Sequence, residues 1–150
     1  MRAGAMPADR AVEQGRKTAI MNEDTIKEGD PMKVYIVDDS PMMIDRIQSK
    51  ISSIDGLEIA GHAGEEMTAL HDARKLRPDF MFIDIRLRGG DGINLLRKVK
   101  KEIPGCTVAM LTNYSSPEFR EKCLSLGADY FFDKSKDFDS IGNTISAYIK

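Results

Sequence analysis

Asp38, Asp39, Asp84, Thr112 and Lys134 share one feature of spacing. Each closely follows a short apolar run rich in β-branched or aromatic residues: Val34-Tyr35-Ile36-Val37, Phe80-Met81-Phe82-Ile83, Thr107 to Leu111, and Tyr130-Phe131-Phe132. One acidic pair alone would be a turn and a helix cap. Three carboxylates, a hydroxyl and an ammonium at four strand ends are a different matter. Carboxylates brought together repel unless they take up protons or a cation. An all-oxygen set with room for water suits Mg²⁺. Asp84 is then a candidate nucleophile, since a carboxylate can take a phosphoryl group as an acyl phosphate. Asp38 would hold a metal-bound water and Asp39 would touch the metal. Thr112 would donate to a phosphoryl oxygen, and Lys134 would add a compact positive charge.

The elements that must position these residues are legible as β–α repeats. Ser40-Pro41 is a cap followed by a first-turn proline, and Ile44, Ile47, Ile51 and Ile54 recur at helical spacing. Asp55-Gly56 is a turn, and Leu57 to Ala63 reads as strand two. Glu65 to Leu76 reads as helix two, with Met67, Leu70 and Ala73 inward and Pro78 ending it. Asp79 to Asp84 is strand three, and Gly89 to Gly92 is a loop. Ile93, Leu96, Val99 and Ile103 make helix three. Strand four ends at Thr112, Ser116-Pro117 opens helix four, and Gly127 closes it. Strand five is followed by a last helix through Phe138, Ile141, Ile145 and Tyr148/Ile149. Alternation of this kind predicts an α/β, doubly wound (βα)5 flavodoxin-like fold. Its five-stranded parallel sheet has the order 2-1-3-4-5, with sites beyond the carboxyl ends of the strands. Residues 1–31 differ: glycines, prolines and scattered charges predict a flexible N-terminal tail before a domain over 32–150. Arg10 to Ile20 is at most a marginal helix, and Met21 and Met32 are alternative starts.

Composition excludes several classes. The 150 residues carry 22 Lys+Arg against 24 Asp+Glu and are 41% hydrophobic, enough for a packed core and without the charge excess of a nucleic-acid binder. No apolar run approaches a membrane span, and no signal peptide is visible. Two cysteines, Cys106 and Cys123, form no metal or disulfide pattern and read as inert packing residues in a reducing, cytoplasmic setting. His62 and His71 read as ordinary histidines. Arg97-Lys98-Lys100-Lys101 reads as a solvated helix face, and Tyr130 as either a core ring or a partner contact.

From Lys33 onward the chain resembles the receiver (response regulator) family of two-component signalling. The residues that carry the resemblance are Val37-Asp38-Asp39-Ser40, Ile83-Asp84-Ile85-Arg86-Leu87, Asp91-Gly92, Leu111-Thr112 and Asp133-Lys134. The resemblance implies a phosphoprotein, not an enzyme. Asp84 would be phosphorylated by a histidine kinase or phosphotransfer protein with Mg²⁺ (Mn²⁺ as an alternative). The backbone carbonyl of Arg86 would join Asp38, Asp39 and Asp84 at the metal. It also implies a switch in which Thr112 moves toward the phosphoryl group and an aromatic, here Phe131, turns inward, reshaping the helix-four, strand-five, helix-five face.

Three positions depart from the family pattern. Arg88 stands four residues after Asp84 in place of proline, Asn113 stands in place of a small residue, and Ser135 follows Lys134 in place of a proline in a cis bond. Arg86 and Tyr114 flank the phosphoryl site, and their bulk predicts restricted water access and slower loss of phosphate. The leading expectation is a stand-alone switch that signals by protein contacts, without DNA binding, and with the last helices as a candidate homodimer contact. The alternatives are a phosphorelay intermediate or phosphate sink, a phosphorylation-independent binding module, and a phosphatase of the haloacid dehalogenase type. The last needs a second Asp where Arg86 stands.

Overall fold

In the computed structural model, residues 29–149 are described. The expected tail therefore lies outside the described residues except for its last three. Five strands form one parallel sheet: β1 (Met32–Val37), β2 (Leu57–Ala63), β3 (Phe80–Ile83), β4 (Thr107–Thr112) and β5 (Tyr130–Asp133), in the order β2-β1-β3-β4-β5. The helices between and after them are α1 (Pro41–Ile51), α2 (Glu66–Leu76), α3 (Gly92–Glu102), α4 (Pro117–Ser125) and α5 (Ile141–Ile149). Fold class and strand order agree with the sequence reading, and Pro31–Lys150 makes one compact unit.

The strands are apolar on both sides because helices cover both faces. Alternate residues face opposite ways. Tyr35, Val37, Met81, Ile83, Val108, Met110 and Phe131 pack with the buried faces of α2, α3 and α4. Val34, Ile36, Phe80, Phe82, Ala109, Leu111 and Phe132 pack with those of α1 and α5. Tyr130 lies in this second layer, its ring stacked 6.1 Å from Phe132 and 6.2 Å from Phe80, which favours the core-ring reading.

Capping follows the residues that predict it. Ser40 Oγ accepts from Met43 N at 3.2 Å, and Ser116 Oγ accepts from Phe119 N at 3.3 Å, each with proline in the first turn. Arg77, in the left-handed region at φ 51°, closes α2 ahead of Pro78.

Three details correct the sequence reading. Met67 does not face inward; it is 63% exposed, and α2 buries Glu66, Ala69, Leu70 and Ala73 instead. The stretch from Gly89 to Gly92 is not merely a loop, since Gly90–Asp91 pairs antiparallel with Arg86–Leu87 and Asp91 caps α3. Phe138 belongs to a separate 3-10 turn, Phe138–Ser140, ahead of α5. Among the described residues no peptide bond is cis, so Lys134–Ser135 is trans.

Candidate functional site

The sheet delivers the site residues by continuing its own hydrogen-bond ladder one step past the strands. Asp38 N donates to Ala63 O at 3.0 Å, Asp84 N to Val37 O at 2.9 Å, and Lys134 N to Thr112 O at 2.9 Å. Each backbone is thus pinned at a strand end, and the side chains converge over the carboxyl edge.

Lys134 is the hub. Its Nζ lies 2.7 Å from Asp38 Oδ2 and 2.8 Å from Asp84 Oδ2, with all three residues buried. Burial works against the Lys134 charge, but the hydrogen bonds it donates to both carboxylates outweigh it and hold the ammonium above its ordinary range. Burial pushes the Asp38 carboxyl up, against the pull of Lys134 and of Ser40 N, which donates to Asp38 Oδ1 at 2.9 Å.

Asp38, Asp39 and Asp84 each offer an oxygen, all within 4.8 Å of one another. Three carboxylates and one ammonium leave an excess of negative charge. Asp84 Oδ1 is buried and has no hydrogen-bond partner. A buried carboxylate oxygen left unpaired is costly, so it is a place where a bound cation would complete the shell. The all-oxygen donor set fits a hard divalent cation.

Thr112 is fully buried at the end of β4, and its Oγ1 accepts from Tyr114 N at 3.0 Å, which leaves its own proton to donate. Arg86 and Tyr114, the two residues expected to flank the site, touch each other: the guanidinium lies 4.4 Å over the Tyr114 ring. Phe131 is buried in the α2–α3–α4 layer, and Arg120 Nη1 donates to its carbonyl at 3.3 Å.

One residue that sequence reasoning missed organises the loop after Asp84. Glu66, at the start of α2, is buried and accepts from Asp91 N at 3.0 Å, Asn94 Nδ2 at 2.7 Å and Lys98 Nζ at 3.0 Å. Burial alone would raise this carboxyl; these donors together hold it below the usual range. Its backbone N–H donates to Gly89 O at 2.8 Å. The available signal was Asn94 and Lys98, four apart on one face of α3. The basic cluster of α3 is therefore partly structural. Lys98 serves Glu66, and Lys100 bridges Asp129 at 2.8 Å and Cys106 O at 2.7 Å.

A parallel five-stranded sheet that gathers three carboxylates, a lysine and a threonine at its carboxyl edge is the arrangement that the resemblance to receiver domains implies. The family model described as "Response regulator receiver domain" matches residues 34–146, and the chain belongs to that family. It is 30% identical over 115 residues to the response regulator protein VraR of Staphylococcus saprophyticus, covering 77% of this chain and 55% of VraR. It is 27% identical to the transcriptional regulatory protein MctR of Rhizobium johnstonii, covering 76% and 53%. The chain thus spans about half the length of these relatives. Among solved structures, the response regulator domain of Thermotoga maritima CheB superposes with a TM-score of 0.69 at 25% identity, covering 79% of this chain and 93% of that one. The receiver domain of RcsB from Salmonella enterica shares the fold at a TM-score of 0.74 and 22% identity, covering 79% and 88%. Among the described residues no helix is long and apolar enough to cross a membrane.

Proposed function

We propose that this receiver domain accepts a phosphoryl group on Asp84 from a histidine kinase or phosphotransfer protein. The observation that carries the reading is the division of labour on Asp84. Lys134 holds Oδ2, while buried Oδ1 has no partner. In the transfer, an Asp84 oxygen forms the new O–P bond as the P–N bond of the phosphohistidine breaks. The displaced imidazole leaves with its electron pair. Asp38, Asp39 and Asp84, with the Arg86 carbonyl, would hold Mg²⁺ or Mn²⁺, which offsets charge on the transferring group when bound. Thr112 donates its hydroxyl proton to a phosphoryl oxygen, and Lys134 pairs with another. The chain assists its own phosphorylation and does not turn over a substrate.

The output runs through protein contacts of the α4–β5–α5 face, where Phe131 joins the end of β5 to the packing of α4. One relative, MctR, is named a transcriptional regulatory protein, and the part of it that this chain does not match is the natural place for a nucleic-acid function.

Intact-protein mass spectrometry after incubation with acetyl phosphate and Mg²⁺ tests the proposal. One phosphate adduct is expected, lost in Asp84→Asn and without Mg²⁺. If neither acetyl phosphate nor a panel of phosphohistidine donors yields an adduct, the domain works as a binding module without phosphorylation.

A further inference from the structure

Lys134 sits in a turn whose shape is held by the side chain of the residue before it. Asp133 Oδ1 accepts from Ser135 N at 2.8 Å, Ser135 Oγ at 2.7 Å and Lys136 N at 3.0 Å. Its other oxygen accepts from the hydroxyl of Ser115, which comes from the loop between β4 and α4. The backbone of Asp133 is tied reciprocally to Asp137: Asp133 N donates to Asp137 Oδ2 at 2.8 Å, and Asp137 N donates to Asp133 O at 2.8 Å. Ser135 and Lys136 are exposed, so burial of their own side chains does not fix the turn. A carboxylate folded back on the following amides is a strong local organiser of such a segment. The Ser115 hydroxyl foremost, then the Ser135 and Lys136 donors, hold this carboxyl far below its usual range, so it remains an acceptor at every working pH.

The Lys134 ammonium reaches two buried carboxylates across the sheet, and that reach depends on where its Cα is placed. We propose that Asp133 is a positioning residue: its carboxylate fixes the turn that aims Lys134 at Asp38 and Asp84, and Ser115 orients that carboxylate. The proposal rests on the reading of Asp84 as phosphoacceptor and of the acidic trio as a metal site. It has a consequence of two opposite signs. Lys134 pairs with two of the three carboxylates that would hold a cation there. A badly aimed Lys134 therefore neutralises the transferring phosphoryl group less well, yet opposes a divalent cation less. A merely loosened fold would weaken both properties together.

The test pairs a Mg²⁺ titration by calorimetry with the rate of adduct formation from acetyl phosphate at saturating Mg²⁺. It uses wild type, Asp133→Ala, Asp133→Asn, Lys134→Ala and the Asp133→Ala/Lys134→Ala double variant. Asp133→Ala is expected to bind Mg²⁺ about three- to tenfold tighter and to phosphorylate about tenfold more slowly. Asp133→Asn keeps the Oδ1 acceptor and should stay within about twofold of wild type on both. Lys134→Ala should tighten Mg²⁺ as well, and adding Asp133→Ala to it should change nothing further. Ser115→Ala, which leaves the turn itself intact, should shift both readouts the same way by less and serves if Asp133→Ala fails to fold. Weaker or unchanged Mg²⁺ binding in Asp133→Ala beside a tightened Lys134→Ala overturns the proposal alone, as does a further shift in the double variant. If wild type neither binds Mg²⁺ nor takes phosphate, the underlying reading fails and takes the proposal with it.

Discussion

The α-carbon of Gly92 lies against the backbone of Asp84: a Cβ added at Gly92 would stand 1.7 Å from the Asp84 carbonyl oxygen. Gly92 N also donates to Ile85 O at 2.7 Å. The first residue of α3 and Asp84 are thus one packed unit. The backbone there tolerates no side chain.

Gly92→Ala must push the Asp84 carbonyl aside or move the start of α3. Backbone overlap of this kind costs about 3 kcal/mol. Urea unfolding should show that loss, and adduct formation on Asp84 should fall with it. A variant as stable as wild type would show that the loop relaxes freely.

Arg86 and Tyr114 form a stacked pair on the loops after Asp84 and Thr112, with Tyr114 41% exposed. An exposed cation–π contact contributes about 0.5–1 kcal/mol, so either Arg86→Ala or Tyr114→Ala should shorten the acyl phosphate lifetime about threefold. Because each holds the other, the double variant should lose little more than either single one. Lifetimes followed by loss of the phosphate adduct measure this; fully multiplicative effects would separate the two residues.

Glu66 ties α2 to the loop and to α3, and its depressed carboxyl gives a pH signature. A carboxyl whose folded pKa lies below the unfolded value stabilises the fold above the unfolded value. That contribution disappears as pH falls through the folded value. The unfolded value is about 4.5. Glu66→Gln should therefore lose about 1–3 kcal/mol near neutral pH, by leaving Lys98 and the loop amide less well paired. The gap in melting temperature should narrow as pH drops below the ordinary glutamate range. A gap that is constant with pH would mean that the charge of Glu66 is idle.

Removing Lys134 leaves Asp38 and Asp84 buried without their cation. Lys134→Met should cost about 3 kcal/mol in chelator, the usual penalty for breaking a buried pair. Mg²⁺ should restore much of it by binding the folded state. Thermal melts with and without Mg²⁺ check this, and no recovery would argue against the acidic trio as the metal site.

How much of this was legible beforehand depended on whether a residue's role is set by its neighbours in sequence or by its neighbours in space. Strand ends are local: an apolar run stops where burial stops, so Asp38, Asp84, Thr112 and Lys134 could be placed at one edge as soon as the β–α alternation was read. Serine before proline announced the starts of α1 and α4 for the same reason, since a cap is made by residues three apart.

Tertiary structure alone decided the rest. Met67 looked like a core residue, and Glu66 was not singled out. Glu66 is the buried one, because the turn at Gly89-Gly90 comes so close to it that a Cβ at Gly90 would meet its side chain at 2.4 Å. The loop amide and Lys98 then supply what a buried carboxylate requires. The stacking of Arg86 on Tyr114 joins the loop after Asp84 to the loop after β4, and the hold of Ser115 on Asp133 joins that second loop to the end of β5. Hydropathy and spacing record which residues must leave water. They do not record which loops will meet once those residues have done so, and the contacts that position this site are made between such loops.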